Sequence, residues 1–167
     1  GVAVVLASTP EGRPLVIKVF GRDARGGRLI ASTWSSFRRR GEVPQLSSGW
    51  HQVQHEAFVS LFAERGGVPV MSVIATGIAI DGDAVLVLDA DAVPLASLEE
   101  EDVEDRTIEG LWRAFGSLEN LGVAIGRIDG FGLFVRPDGA AAVGEFGDAS
   151  VAADRGALLT DKAQLLV

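Results

Sequence analysis

Two doubled-back runs of β-forming residues enclose a long helical segment in the first half of the chain, and this succession narrows the available folds more than any other feature. The first run reads "VAVVLAS", then "TPEGRP", then "LVIKVF". Pro and Gly between two β-branched stretches favour a turn, so an antiparallel hairpin is expected. "VPVMSVIATGIAI" and "DAVLVLDA", joined through Asp81, Gly82 and Asp83, predict a second hairpin. Between the hairpins, "HQVQHEAFVSLFAERGG" sets Val53, Ala57, Phe58, Leu61 and Phe62 at helical spacing and stops at Gly66 and Gly67. A shorter helix is expected over "RLIASTWSSFRRR", with Leu29, Ile30, Trp34 and Phe37 on one side. The first half therefore reads β-β-α-α-β-β.

The second half is different in character. After the acidic stretch "SLEEEDVEDRT", the segment "IEGLWRAFGSLENLG" predicts a helix that buries Leu111, Trp112, Phe115 and Leu118. "GLFVRP" and "AAAVGEF" then predict two short strands around the turn Pro137-Asp138-Gly139, and "RGALLTDKAQLLV" opens a further helix. Residues 1–95 and 96–167 are expected to form two lobes. Charge divides along similar lines: residues 1–80 hold nine basic and five acidic side chains, whereas residues 81–167 hold six basic and eighteen acidic.

The total charge of −8 disfavours nucleic acid as a partner, because a phosphate backbone needs clustered Lys and Arg. No run approaches the ~18 uninterrupted apolar residues of a membrane span, and no basic segment with an apolar core opens the chain, so neither a span nor a secretion signal is expected. The chain has no cysteine, which excludes disulfides and thiolate metal sites and permits a cytoplasmic location. Arg22, Arg25, Arg28, Arg38, Arg39 and Arg40 concentrate positive charge in one segment. That segment suits an acidic protein partner or an anionic membrane surface, or serves as a solvated helix end.

Three constellations bear on chemistry. His51 and His55 stand four apart on one helix, but two imidazoles need a third ligand to hold zinc, and no Cys or further His supplies it. Asp89 and Asp91 leave a strand as Asp-x-Asp, which holds a divalent cation in some transferases and elsewhere simply forms a turn. Lys18 lies among Val16, Ile17, Val19 and Phe20, where its ammonium must snorkel to an edge or meet an anion. Glu56, inside the long helix, is the expected partner. A strand lysine paired with a helix glutamate is how kinases position nucleotide phosphates.

The order of strand lysine, helix glutamate, second hairpin, acidic linker, long helix, loop and hairpin resembles the kinase-like fold of protein kinases and aminoglycoside phosphotransferases. In particular the chain resembles the kinase-like domain found beside lysylphosphatidylglycerol-synthase-type membrane regions in actinobacterial proteins. The stretches that carry this likeness are "VIKVFGRDAR", "HQVQHEAFVSLFAERGGVPV", "LGVAIGRIDGFGLFVRPDG" and "FGDASV" with "TDKAQLLV". The resemblance implies a two-lobed α+β protein-kinase-like fold, with an antiparallel-sheet N-lobe, a regulatory-type helix and a reduced helical C-lobe. It further implies a cytoplasmic domain tied to a membrane through a region absent from this sequence.

Mapped through the resemblance, "IGRIDGFGLFV" is the catalytic loop. Ile125 takes the histidine position, Arg127 the aspartate position and Gly132 the asparagine position. The aspartate would accept the substrate hydroxyl's proton, and the asparagine would help to hold a metal. Arginine does neither, being permanently protonated and a donor only. Asp129 is the nearest carboxylate that could replace it. "GEFG" falls at the Asp-Phe-Gly position, with Glu145 for the aspartate, Phe146 as the packing residue and Gly147 in the turn. Only Gly1 is left to represent the glycine-rich lid that covers the phosphates in this fold. The resemblance thus implies a pseudokinase without catalytic or metal-binding residues and without a resident cofactor. Lys18, Glu56, Arg127 and Glu145 would line a degenerate cleft capable of weak binding to ATP or another nucleotide. A regulatory or scaffolding role is expected, with a small-ligand sensor and a weak atypical phosphotransferase as alternatives.

Overall fold

Strands β1 (Val2–Ser8) and β2 (Pro14–Phe20) form the first hairpin, in register from Val2 opposite Phe20 to Ser8 opposite Pro14. The computed structural model describes residues 2–21, 48–128 and 132–166. The helix expected over residues 28–40 and the arginines Arg22, Arg25, Arg28, Arg38, Arg39 and Arg40 lie outside the described residues, as does Asp129. Packing divides the chain into two units, each assembled from separate stretches of sequence: Gly1–Ala57 with Val73–Ala90, and Phe58–Ser72 with Asp91–Val167.

In the first unit, β3 (Val73–Ile78) and β4 (Ala84–Asp89) complete a four-stranded antiparallel sheet in the order β1-β2-β4-β3. The β3–β4 turn follows its sequence signal. Gly82 sits at φ +89°, where only glycine is relaxed, and Ala79 N donates to Asp83 O at 2.8 Å. Central position explains why β4 is apolar without alternation, since Ala84 to Leu88 are all buried. One face of the sheet packs Leu15, Ile17, Val85 and Val87 together. Successive side chains alternate between faces, so Val16, Lys18, Leu86 and Leu88 occupy the other.

Helix α1 (Ser48–Arg65) begins close against β2: a Cβ on Gly49 would run into the carbonyl group of Phe20. Its buried stripe is Val53, Glu56, Ala57, Val59, Ser60 and Ala63. The sequence spacing placed Phe58 and Leu61 in the core as well, but they are 57% and 50% exposed. The inward face is set by Glu56, Val53, Val59 and small residues, so Phe58 and Leu61 turn outward while Phe62 packs partly against the core.

Among the described residues, the second unit holds two small sheets, two further α-helices and the C-terminal end of α1. Strands β5 (Val93–Pro94), β7 (Leu133–Val135) and β8 (Ala141–Val143) form one sheet in that order, and β6 (Val123–Ala124) pairs with β9 (Ser150–Val151) in the other. Helix α2 (Asp105–Asn120) buries Thr107, Leu111, Ala114, Phe115 and Leu118. Trp112, expected in that core, is 37% exposed, because the stripe runs through Ala114 instead. Thr107 fastens α2 to the β7–β8 turn, its hydroxyl donating to Gly139 O at 2.9 Å. Helix α3 (Arg155–Gln164) starts at Asp154, whose carboxylate accepts from Ala157 N at 2.8 Å.

"VPV" does not continue β3 as its apolar run suggested. Val70 instead forms a parallel bridge with Val143, with Val143 N donating to Pro69 O and Met71 N donating to Val143 O, each at 2.9 Å. The Arg136 guanidinium secures the segment through the Val70 carbonyl at 2.9 Å.

Candidate functional site

In the first unit the structure brings Lys18 and Glu56 together. Lys18 stands at the middle of β2, opposite Val4 on one side and Leu86 on the other, and is 5% exposed. Glu56 reaches it from α1, is 1% exposed, and accepts from the Lys18 ammonium through Oε1. Buried charges survive only when paired and hydrogen-bonded, because each ion has surrendered its hydration. The lysine that local sequence could not place is therefore explained by an acidic residue 38 positions away.

Asp89, the first member of Asp-x-Asp, accepts from the Arg13 guanidinium, tying the β1–β2 turn to the end of β4. That contact gives Asp89 a structural role. His51 and His55 are exposed on α1, and among the described residues no group of three His, Cys, Asp or Glu converges as a metal site.

In the second unit, the loop mapped as catalytic is fixed by α3. The carboxylate of Asp161, 4% exposed, accepts from two consecutive backbone amides, Ile125 N and Gly126 N, the latter at 3.1 Å. One helical turn later Gln164 repeats the pattern: its Oε1 accepts from Ile128 N at 3.0 Å, and its Nε2 donates to Gly126 O at 2.8 Å. Four hydrogen bonds from two side chains thus define the path from Ile125 to Ile128. Gly126 is required there, since it adopts φ +89° and a Cβ would lie 2.9 Å from Asp148 O.

The side chains on this frame differ in fate. Ile125 is 3% exposed and belongs to the apolar core with Phe115, Leu118 and Val143. Arg127 is exposed. Gly132 accepts at its carbonyl from Gly144 N at 3.0 Å, which brings Gly132 beside the "GEFG" turn. Within that turn Phe146 is 1% exposed in the core, while the Glu145 carboxylate accepts from Gly147 N at 3.2 Å. Glu145 thus makes a hydrogen bond within its own turn.

Neither Asp161 nor Gln164 was distinguishable in the sequence as a site residue. An acidic residue in a polar helix near the end of a chain reads as solvated, and the spacing of Asp161 and Gln164 is shared by many exposed helix pairs.

An antiparallel four-stranded sheet carrying a lysine that pairs with a helix glutamate, together with a second unit whose loop and turn follow a long helix, defines a kinase-like fold. Solved structures agree. The chain is similar to the yeast RNA Pol II CTD kinase CTDK-1 complex, with a TM-score of 0.58 and 12% identity, over 89% of this chain and 43% of that one. It is also similar to WbdD, solved with the kinase inhibitor LY294002, with a TM-score of 0.56 and 20% identity, over 84% of this chain and 30% of that one. The likeness is one of fold, and this chain spans less than half the length of either structure. No protein-family model and no curated protein matches the sequence.

Proposed function

We propose that this chain is a kinase-like module that does not transfer phosphate and acts as a regulatory or scaffolding domain. The observation that carries the reading is the segment Ile125–Ile128. Its backbone is held in one shape by Asp161 and Gln164, yet it presents a guanidinium where phosphotransfer needs a proton acceptor. Ile125 is committed to the core and Gly132 has no side chain to offer a metal. Lys18 and Glu56, in this reading, are kept for architecture.

Thermal unfolding with ATP, with and without magnesium, tests the proposal. A ligand present at 100 times its dissociation constant adds ~2.7 kcal/mol, which raises the Tm of a domain this size by roughly 5–10 °C. The expected result is no magnesium-dependent shift. A magnesium-dependent shift accompanied by phosphate turnover, with turnover lost in Glu145→Ala, would overturn the proposal and establish an atypical phosphotransferase. The exposed Arg127 favours one further reading, a sensor for an anionic small molecule. Nucleotide stabilisation that is lost in Arg127→Ala but kept in Glu145→Ala would select it.

The proposal extends to location. The resemblance to domains beside lysylphosphatidylglycerol-synthase-type membrane regions supports a place as the cytoplasmic part of a larger membrane protein. Among the described residues no helix is long and apolar enough to cross a membrane. The segment holding Arg22, Arg25, Arg28, Arg38, Arg39 and Arg40 is then the part expected to meet anionic headgroups or an acidic partner. Sedimentation with liposomes checks this: binding should rise with the fraction of anionic lipid, and binding indifferent to lipid charge would remove the membrane arm of the proposal.

A further inference from the structure

Helix α3 reverses the usual amphipathic pattern, in which apolar side chains face the core and polar ones face water. Its inward side carries Asp161, 4% exposed, and Gln164, the two residues that hold Ile125 to Ile128. Leu165 packs against the core, whereas Leu159 and Leu166 are 51% and 75% exposed. At 3.6 residues per turn, Gly156, Leu159, Thr160 and Ala163 fall on one face of the helix, and all four are exposed. Leu166 follows in the turn that ends the helix: Leu165 keeps the helical conformation, and Leu166 N donates to Ala163 O at 3.2 Å. The outward stripe therefore reads Gly, Leu, Thr, Ala, Leu, without a charge.

Large and small side chains are arranged symmetrically along that stripe. Leu159 and Ala163 lie at equal distances in sequence on either side of residue 161, and so do Gly156 and Leu166. A second copy of α3 laid antiparallel on the first, with the two-fold axis at residue 161, sets Leu159 against Ala163 of the second copy and Leu166 against its Gly156. Each leucine then meets a residue small enough to receive it, which is the interlocking that close helix packing requires. A parallel arrangement would set leucine on leucine. Charge agrees with the antiparallel one. Arg155, exposed at the N-terminal end of α3, comes to the C-terminal end of the other helix, where free carbonyls favour a cation, and the two copies of Arg155 stay a helix length apart. The stripe is complementary to itself, the condition for a two-fold contact between identical chains.

We propose that the outward face of α3 is a homodimer contact, in which two copies of this chain pair their α3 helices antiparallel about residue 161. A helix of ten residues is about 15 Å long, so the contact is smaller than a standard stable interface and the dimer forms reversibly. One helix then has two duties: its inward face holds the Ile125–Ile128 loop, and its outward face joins two copies of the module. The contact does not include Lys18, Glu56, Arg127 or Glu145. It therefore stands whether or not the chain binds nucleotide.

Sedimentation equilibrium of the full chain over a hundredfold range of concentration tests the proposal, with circular dichroism confirming that each variant is folded. The wild type is expected to pass from monomer to dimer as concentration rises. Leu159→Glu should weaken self-association at least tenfold, whereas Ile80→Glu, at an 84% exposed side chain in the first unit, should change it less than twofold. Ala163→Leu is the sharper variant. It adds apolar surface, which would strengthen unspecific association, but it fills the recess that receives Leu159 and should weaken an interlocked pair at least tenfold. Combining Leu159→Ala with Ala163→Leu exchanges knob and recess, and should restore most of the lost affinity. A monomer at every concentration, a dimer indifferent to Leu159→Glu, tighter association in Ala163→Leu, or no recovery in the double variant would each overturn the proposal.

Discussion

Lys18→Met is expected to destabilise the domain by about 3–5 kcal/mol, because it leaves the Glu56 carboxylate buried without its ammonium partner. At 2–4 °C per kcal/mol for a chain of this size, the Tm falls by roughly 10 °C. Glu56→Leu alone should cost a similar amount for the converse reason, stranding the ammonium. The double variant Lys18→Met with Glu56→Leu separates pairing from burial. Exchanging a buried ion pair for apolar side chains of similar volume is commonly neutral, so the double variant should recover most of the loss of either single one. Arg13→Gln is the contrast. The Arg13 side chain is 56% exposed, and breaking its pair with Asp89 should cost within about 1 kcal/mol. If Lys18→Met melts with the wild type, the pair is not structural, and the Lys18 ammonium would have to be retained for a ligand instead.

What the sequence made visible follows from how far each signal reaches along the chain. Hairpins were legible because a turn and its flanking strands are local, and β1, β2, β3 and β4 fall where β-branched runs meet Pro, Gly and Asp. Lys18 was legible as an anomaly, a charge inside an apolar strand that demanded a partner. The errors lie where tertiary contacts overrode periodicity. Phe58, Leu61 and Trp112 match helical apolar spacing yet face outward, because the inward faces of α1 and α2 are set by Glu56, Ala63 and Ala114. Strands β5, β6 and β9, two residues each, carry too little pattern to be read without their partners. The "VPV" run gave no sign that it would leave the first sheet and bridge to Val143, since that depends on a strand more than 70 residues later. Asp161 was least legible of all. Its importance comes from two backbone amides, which have no sequence signature.

Asp161→Ala is the second large effect expected, about 3–4 kcal/mol, and it tests how the loop keeps its shape. Hydrogen bonds to a charged group are worth about 1.5–3 kcal/mol, and a buried donor left without a partner costs about 1–3. Ile125 lies in the core, so its amide would lose its acceptor where water does not readily replace it, whereas Gly126 is exposed and regains a solvent partner. The two bonds should therefore be unequal, with most of the loss arising at Ile125. Asp161→Asn keeps one acceptor oxygen but turns an amide donor toward the other N–H, and should fall about midway. Hydrogen exchange gives the local readout. In Asp161→Ala the amides of Ile125 and Ile128 should exchange faster together, because α3 releases the whole segment; in Gln164→Ala the change should be confined to Ile128. Full protection at Ile125 in Asp161→Ala would mean that β6 and β9 hold the loop without α3. The distinction bears on the proposed function because Asp161 grips only main-chain atoms, so the loop's path depends on α3 and not on which side chains, Arg127 among them, the loop carries.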